Sequence, residues 1–426
     1  MKNGKFIFLF VCMGISAVAV QARTRQFVFG ADISWVDADI DRGQKYYDGN
    51  EQKDIFTIFK DHKFNSIRLR LFVDPTAKVP GSSESPYSSQ GYCNLEHTIE
   101  FAKKIKEAGM LFLLDFHYSD VWADPGKQFK PVSWEGLSFT ELKEKVRTYT
   151  RESLEACEAA GVLPDMVQVG NEIVGGMIWP DGRSSNMSQF AALVNAGIDG
   201  VKDVSDDIDI VIHFISENSP TQWLSSLIKA GVKRIDVFAL SYYSKWHGTP
   251  DDLKKRLSDA AGDHDIAIAI AEYADNHRVV NDIVFNLPDE KGFGTFVWEP
   301  TRWEQTLFTN GKTNGKIDFY PQMWKDFGND TLPLKEGLVA VVPHCNSGNG
   351  YESGPFLADA AGMLYKGGTS QPWGYTILNL QGRTCAAVGG TGIAGAVPAI
   401  ARNLFLILPT YSGKHRYTEK NIDMMR

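Results

Sequence analysis

The chain has 426 residues, 43% of them hydrophobic and 23% charged, which supplies a large core and excludes a disordered, collagenous or coiled-coil protein. Its 44 Lys and Arg against 52 Asp and Glu leave a net charge of -8, which argues against nucleic acid, a ligand held mainly by phosphate contacts. An aromatic content of 12% suits an enzyme whose rings stack on sugar faces.

At the N-terminus, Lys2 and Lys5 precede an apolar run from Phe6 to Val20, followed by the small-residue site Val20-Gln21-Ala22. Residues 1-22 therefore read as a signal peptide, too short to span a bilayer comfortably. A secreted or periplasmic chain is expected, with a net charge of -10 and no membrane span once the signal is removed. Cys12 sits inside the apolar run and not after it, which disfavours a lipid anchor. The remaining Cys93, Cys157, Cys345 and Cys385 show no CxxC or Cys/His spacing, so buried free thiols are expected, with no metal and no cofactor.

From Phe27 to about Pro300, short β-branched runs alternate with amphipathic stretches. The predicted strands are Phe29 to Ser34, Ser66 to Phe72, Leu111 to Phe116, Met166 to Gly170, Ile208 to Phe214, Val237 to Tyr243, Ile266 to Ala271 and Gly294 to Trp298. Leu95, Ile99, Ala102 and Ile105 share a helical face between the cap Asn94 and the stop Gly109. A second helix is read from Glu141 to Ala160, ended by Gly161. Eight such units of about 34 residues match a parallel (β/α)8 barrel, an α/β fold, better than an open doubly wound sheet. The predicted catalytic domain covers 23-340, and a Gly-rich tail, 341-426, is left without an assigned fold. The tail's Gly390-Thr391-Gly392-Ile393-Ala394-Gly395 would need a strand before it, a helix after it and an acid about twenty residues on to bind a dinucleotide, but Pro398 interrupts the helix and no βαβ unit of normal length fits, so a glycine-rich loop is expected.

In a barrel, reactive groups sit where strands end, which singles out Glu172 after the fourth strand and Glu272 after the seventh. They are 100 residues apart, three barrel units, and should face one mouth. Two facing carboxyls, one protonated and one ionised, are what glycoside hydrolysis requires. Arg68 and Arg70 alternate on the second strand and share a face. Asp115, His117 and Trp122 follow the third strand, Tyr242 and Tyr243 the sixth, and Trp298-Glu299-Pro300 the eighth. Polar and aromatic groups converging on one rim point to a polysaccharide substrate.

The segments Gly30 to Ser34, Arg68 to Pro75, Asp115 to Pro125, Gly170-Asn171-Glu172-Ile173 with Trp179-Pro180, and Phe296 to Pro300 resemble those of the glycoside hydrolase family 53 endo-β-1,4-galactanases, in order over residues 27 to 310. The resemblance implies a retaining hydrolase of β-1,4-galactan, as in pectic arabinogalactan side chains. It implies Glu172 as acid/base and Glu272 as nucleophile. Asn171 would contact the sugar 2-hydroxyl, Arg68 and Tyr243 would hold the nucleophile, Trp298 would floor the cleavage subsite and Trp122 would stack further along. With these, Asp115 and His117 complete the expected substrate-binding set. Arg68 is expected to keep the pKa of Glu272 low and the opposing acid to have a raised one.

The chain departs from the family pattern at Glu272-Tyr273-Ala274-Asp275, at Ser244 and at Ser216-Glu217-Asn218. No calcium loop is expected over Asn276 to Asn286, and a monomer is expected. Another β-linked glycan, or a non-catalytic polysaccharide-binding barrel, remain the alternatives; the second has no need of both acids.

Overall fold

The computed structural model describes residues 25-217 and 219-333, together with the backbone of four further strands. The expected signal segment at 1-22 lies outside the described residues, as does most of the tail, including 391-395.

Eight parallel strands close into a barrel: β1 (Val28–Asp32), β2 (Ser66–Leu71), β3 (Leu111–Phe116), β4 (Met166–Val169), β5 (Asp209–Ile215), β6 (Val237–Tyr242), β7 (Ala267–Tyr273) and β8 (Gly292–Trp298). Each strand pairs with the next in sequence, and β1 pairs with both β2 and β8, so no sheet edge is left open. The (β/α)8 reading therefore holds, with strand ends moved by a residue or two. The helix after β3 spans Phe139–Ala159 and starts earlier than its apolar spacing suggests. Its start is set by a capping box, in which Ser138 accepts from the Glu141 N–H and the Glu141 carboxyl accepts from the Ser138 N–H. The helix after β2, Leu95–Glu107, starts at Asn94, which accepts from the His97 N–H.

Alternation along the strands sorts side chains into two layers. Ile67, Leu69 and Leu71 of β2, and Phe112, Leu114 and Phe116 of β3, join the large core between sheet and helices. The barrel's interior is a smaller cluster that includes Val28, Leu111, Leu113, Met166, Val211, Val237, Ala269 and Phe296. One pleat further toward the C-terminal ends, the inward positions turn polar: Asp32, Arg68, Asp115, Gln168, His213 and Ser241, each 1% exposed or less. An apolar plug thus closes the lower barrel, and a charged floor lies on top of it. Gly30 makes the close packing possible, because a Cβ there would collide with the ring of Phe296.

Cys93 and Cys157 are buried free thiols whose pKa burial raises, to about 11 and about 12. Residues Gln26–Leu334 form one compact unit and Lys335–Arg426, with Met1–Arg25, another. In the second unit, strands Ala340–Cys345, Trp373–Leu378, Thr384–Gly390 and Thr410–Tyr411 make a four-stranded sheet. Gly390 ends a strand there, and the side chains of Cys345 and Cys385 lie outside the described residues.

Candidate active site

Strict alternation would turn Glu272 away from the barrel, because Ala269 and Ala271 both belong to the interior cluster. A register shift solves this: Leu240 pairs with Ile270 but Ser241 pairs with Glu272, leaving Ala271 as the extra residue of a bulge. Bulges re-aim side chains, and this one brings Glu272 over the charged floor. There its Oε1 lies 3.0 Å from Arg68 Nη1, and its Oε2 accepts a 3.0 Å hydrogen bond from the Tyr243 hydroxyl.

Glu172 comes to the same mouth differently. β4 stops at Val169, Gly170 takes φ 86° and Glu172 itself takes φ 47°, ψ 48°, in the left-handed region. A non-glycine residue there is strained by about 1 kcal/mol or more, and such strain gathers at functional sites. The carboxyl receives a 2.6 Å hydrogen bond from Ser241 Oγ, and among the described residues no cation is bonded to it.

Arg68, 1% exposed, is the hub beneath both. It donates from Nη1 to Asp32 at 2.8 Å, from Nη2 to Asp115 and to Asn171 Oδ1 at 2.9 Å each, and from Nε to Gln168 at 3.2 Å. Asn171 is fixed from the other side by its amide, which donates to the Ala123 carbonyl at 2.8 Å. His117 lies 3.1 Å from Asp115 and accepts from the Ala123 N–H with its other ring nitrogen. Asp115 is thus a buried part of the floor and His117 its buried prop. Arg70, sharing the face of Arg68 as expected, binds Asp32 at 3.2 Å and Glu299 at 2.7 Å. Above them the rim is aromatic. Trp298 packs edge-on to Trp35, Trp303 and Tyr243, and Arg70 lies 4.4 Å from the ring centre of Trp122.

The electrostatics separate the two acids. Burial, then the charge of Glu272, push the Glu172 carboxyl well above the ordinary carboxylate range, with Ser241 as the main opposing influence. Burial also raises Glu272, against the pull of Arg68 and the Tyr243 hydroxyl. The expectation that Arg68 keeps Glu272 low is corrected: burial outweighs the guanidinium, which Asp32 and Asp115 already share. The order survives, with Glu172 the harder of the two to ionise. Asp115 shows the opposite balance, since Arg68 and His117 overcome its burial and hold it below the usual value. Burial and the neighbouring carboxylates push the Tyr243 phenol well up, so it remains a donor.

All nine expected site residues therefore lie on one mouth or directly beneath it. Sequence reasoning passed over Asp32, Gln168, His213 and Ser241 as members of the site. Their signal was available: Gln168 and His213 are lone polar residues inside apolar strands, and each must find partners once buried.

A closed parallel barrel that carries two unlike carboxyls under an aromatic rim has the parts of a glycoside hydrolase. The family model of glycosyl hydrolase family 53 matches residues 28–282, and the chain belongs to that family. A Niallia circulans protein without an assigned activity is 41% identical over 73% of this chain and 94% of its own length. The endo-β-1,4-galactanase of Bacillus subtilis is 34% identical over 59% of this chain, which spans 58% of that enzyme. The arabinogalactan endo-β-1,4-galactanase of Cellvibrio japonicus is 33% identical over 52% of this chain and likewise 58% of its own length. Among solved structures, the family 53 catalytic domain of Ignisphaera aggregans superposes with a TM-score of 0.63 at 31% identity, covering 70% of this chain and 99% of that domain. A fungal β-1,4-galactanase gives 0.61 at 26% identity, over 70% of this chain and 99% of its own.

Proposed function

We propose that this glycosidase is exported and cuts β-1,4-galactan, such as the side chains of pectic arabinogalactan, in endo fashion with retention at the anomeric carbon. The observation that carries the reading is the contrast between two acids at one mouth: Glu272, buried, on a cation and a phenol, and Glu172, half-buried, on a neutral hydroxyl. That contrast suits a double displacement. Glu272, ionised, attacks C1 of the galactosyl unit while the C1–O bond breaks, and the proton of Glu172 goes to the leaving oxygen. Glu172, now a carboxylate, takes a proton from water as its oxygen attacks C1 and releases Glu272. Asn171, pinned by Arg68 and Ala123, presents its amide toward the sugar 2-hydroxyl, with Trp298 beneath the ring and Trp122 further along. The galactanase relatives support galactan as substrate, and the Lys-flanked apolar run at 1-22 supports export.

The test is reducing-end release from potato galactan, arabinogalactan, mannan and cellulose, with proton NMR of the first product formed. Short oligosaccharides from galactan, initially as the β-anomer, are expected. Release from another glycan alone would move the specificity to the divergent loops around Ser244 and Asp275. An initial α-product would rule out retention, and no release at all would favour a binding protein. N-terminal sequencing of the mature chain checks export, with a start near Arg23 expected.

A further inference from the structure

The mechanism above uses Glu172 but leaves unexplained the buried groups that hold it. His213 and Ser241 are both fully buried, on β5 and β6, and neither has a role in the two displacements. The geometry around them forms a closed circuit. Two donors face His213 Nδ1, the backbone N–H of Glu172 at 3.3 Å and the Gln168 amide at 3.1 Å. Asn171 Oδ1, 2.9 Å from the same nitrogen, is already supplied by Arg68. Nδ1 therefore accepts, and the hydrogen of the neutral ring sits on Nε2. Nε2 donates to Ser241 Oγ at 2.9 Å, and Ser241 Oγ donates to Glu172 Oε1 at 2.6 Å. The circuit starts on the main chain of Glu172 and returns to its carboxyl.

Resting on the reading of Glu172 as acid/base, we infer that Ser241 and His213 are positioning residues. They clamp the left-handed turn that presents Glu172 and, through one directed hydroxyl, stabilise its ionised form between the two displacements.

The direction of the circuit matters. A serine whose oxygen is already occupied by an imidazole N–H must point its own hydrogen at the carboxyl, where it favours the charged state. A lone serine could turn away. The imidazole does this without adding charge: burial, followed by the positive charge of Arg68, holds it well below its usual pKa, so it stays neutral. A cation in its place would pull Glu172 down to an ordinary carboxylate and take away its proton at working pH. The circuit therefore restrains the rise caused by burial and by Glu272 without cancelling it. The other charged or titratable groups facing Glu172 are Glu272, Asp124, Arg68 and Tyr243, and those facing His213 are Arg68, Asp115 and His117. None of these is altered by removing the serine hydroxyl.

The experiment is the pH dependence of kcat/KM on linear β-1,4-galactan for the wild type, Ser241→Ala and His213→Leu, beside Glu172→Gln assayed on galactan and on an aryl galactobioside. Loss of a donor to a carboxylate raises its pKa, so Ser241→Ala should move the basic limb upward by on the order of one pH unit. His213→Leu, which frees the hydroxyl to rotate, should move it in the same direction by less. A basic limb that stays in place, or moves down, in both variants overturns the inference even if Glu172→Gln spares the aryl substrate. Equal loss by Glu172→Gln on both substrates overturns the acid/base reading first, and the inference with it. Should Ser241→Ala melt too low to assay, the limb of His213→Leu decides.

Discussion

The wall that carries Glu272 and the wall that carries Glu172 each hold a carboxyl, buried on the first and half-buried on the second, and they stabilise it by different means. On the β7 side the partner is Arg68, itself shared by Asp32 and Asp115, so a network of full charges surrounds the acid. On the β4 side the partners are a hydroxyl and, behind it, a neutral imidazole. A charged partner favours the ionised form that a nucleophile needs before it attacks and regains on release. A neutral one leaves an acid able to lose and regain a proton. The contrast also predicts which side fails more severely when a partner is removed.

The largest effect expected is for Glu272→Ala, which removes the proposed attacking group. Galactan hydrolysis should fall by about four orders of magnitude or more, while polymer binding persists in a gel-retardation assay. Substantial hydrolysis remaining would mean that the nucleophile lies elsewhere. Next comes Arg68→Met, which takes the cation from Asp115 and Glu272 and leaves Asp32 with Arg70 alone. Breaking a buried ion network from one side costs about 3–5 kcal/mol, to be read by chemical unfolding. A loss below 1 kcal/mol would mean that the three carboxyls are not all ionised in the folded chain.

Glu172→Ala should be milder and selective. Protonation of the leaving group contributes about 100- to 10,000-fold, so kcat/KM on galactan falls by that order, whereas kcat/KM on an aryl galactoside with a good leaving group, which reports the first displacement alone, is largely spared. In the wild type, the raised pKa of Glu172 means that activity is lost as pH rises through it, and protonation of Glu272 limits activity on the acid side. The two carboxyls share one field, so the limbs belong to the pair, and removing either acid should displace the limb that remains.

How much of this was legible in the sequence follows from how far each feature reaches along the chain. The eight strands show through because a β-branched run and its bounding turns are local. Glu172 and Glu272 show through because an acid at the end of an apolar run is conspicuous. The inward turn of Glu272 does not, since it depends on a bulge created by pairing with Ser241, 31 residues earlier. The hydroxyl and imidazole behind Glu172 stayed hidden for the same reason: His213 lies 41 residues further on in the chain, and only barrel closure brings it back. Burial was likewise underestimated. Arg68 beside Glu272 suggested a depressed carboxyl, but sequence could not show that the guanidinium was divided among three acids.

Glu299 offers an effect on stability alone, near zero at pH 5, and a sharper test of the same contrast, because it combines a cation with complete burial. Its Oε1 accepts from Arg70 at 2.7 Å and from the Trp35 N–H at 3.0 Å, and its Oε2 has no partner. Burial, opposed by Arg70, raises its pKa to about 8. A carboxyl whose folded pKa exceeds its unfolded value contributes stability below the unfolded pKa, near 4.5, and loses it as pH rises through the folded one. Glu299→Gln copies the protonated form, so at pH 5 it should match the wild type within about 1 kcal/mol. Between pH 5 and pH 8 the glutamine variant should gain on the wild type, because only the wild type pays to keep a proton it would lose on unfolding, and above pH 8 the gap should level off. Thermal melting of both proteins across that range reads the sign directly. If the gap stays flat across that range instead, Glu299 is ionised against Arg70 throughout, and charge pairing, not burial, governs the floor of this site.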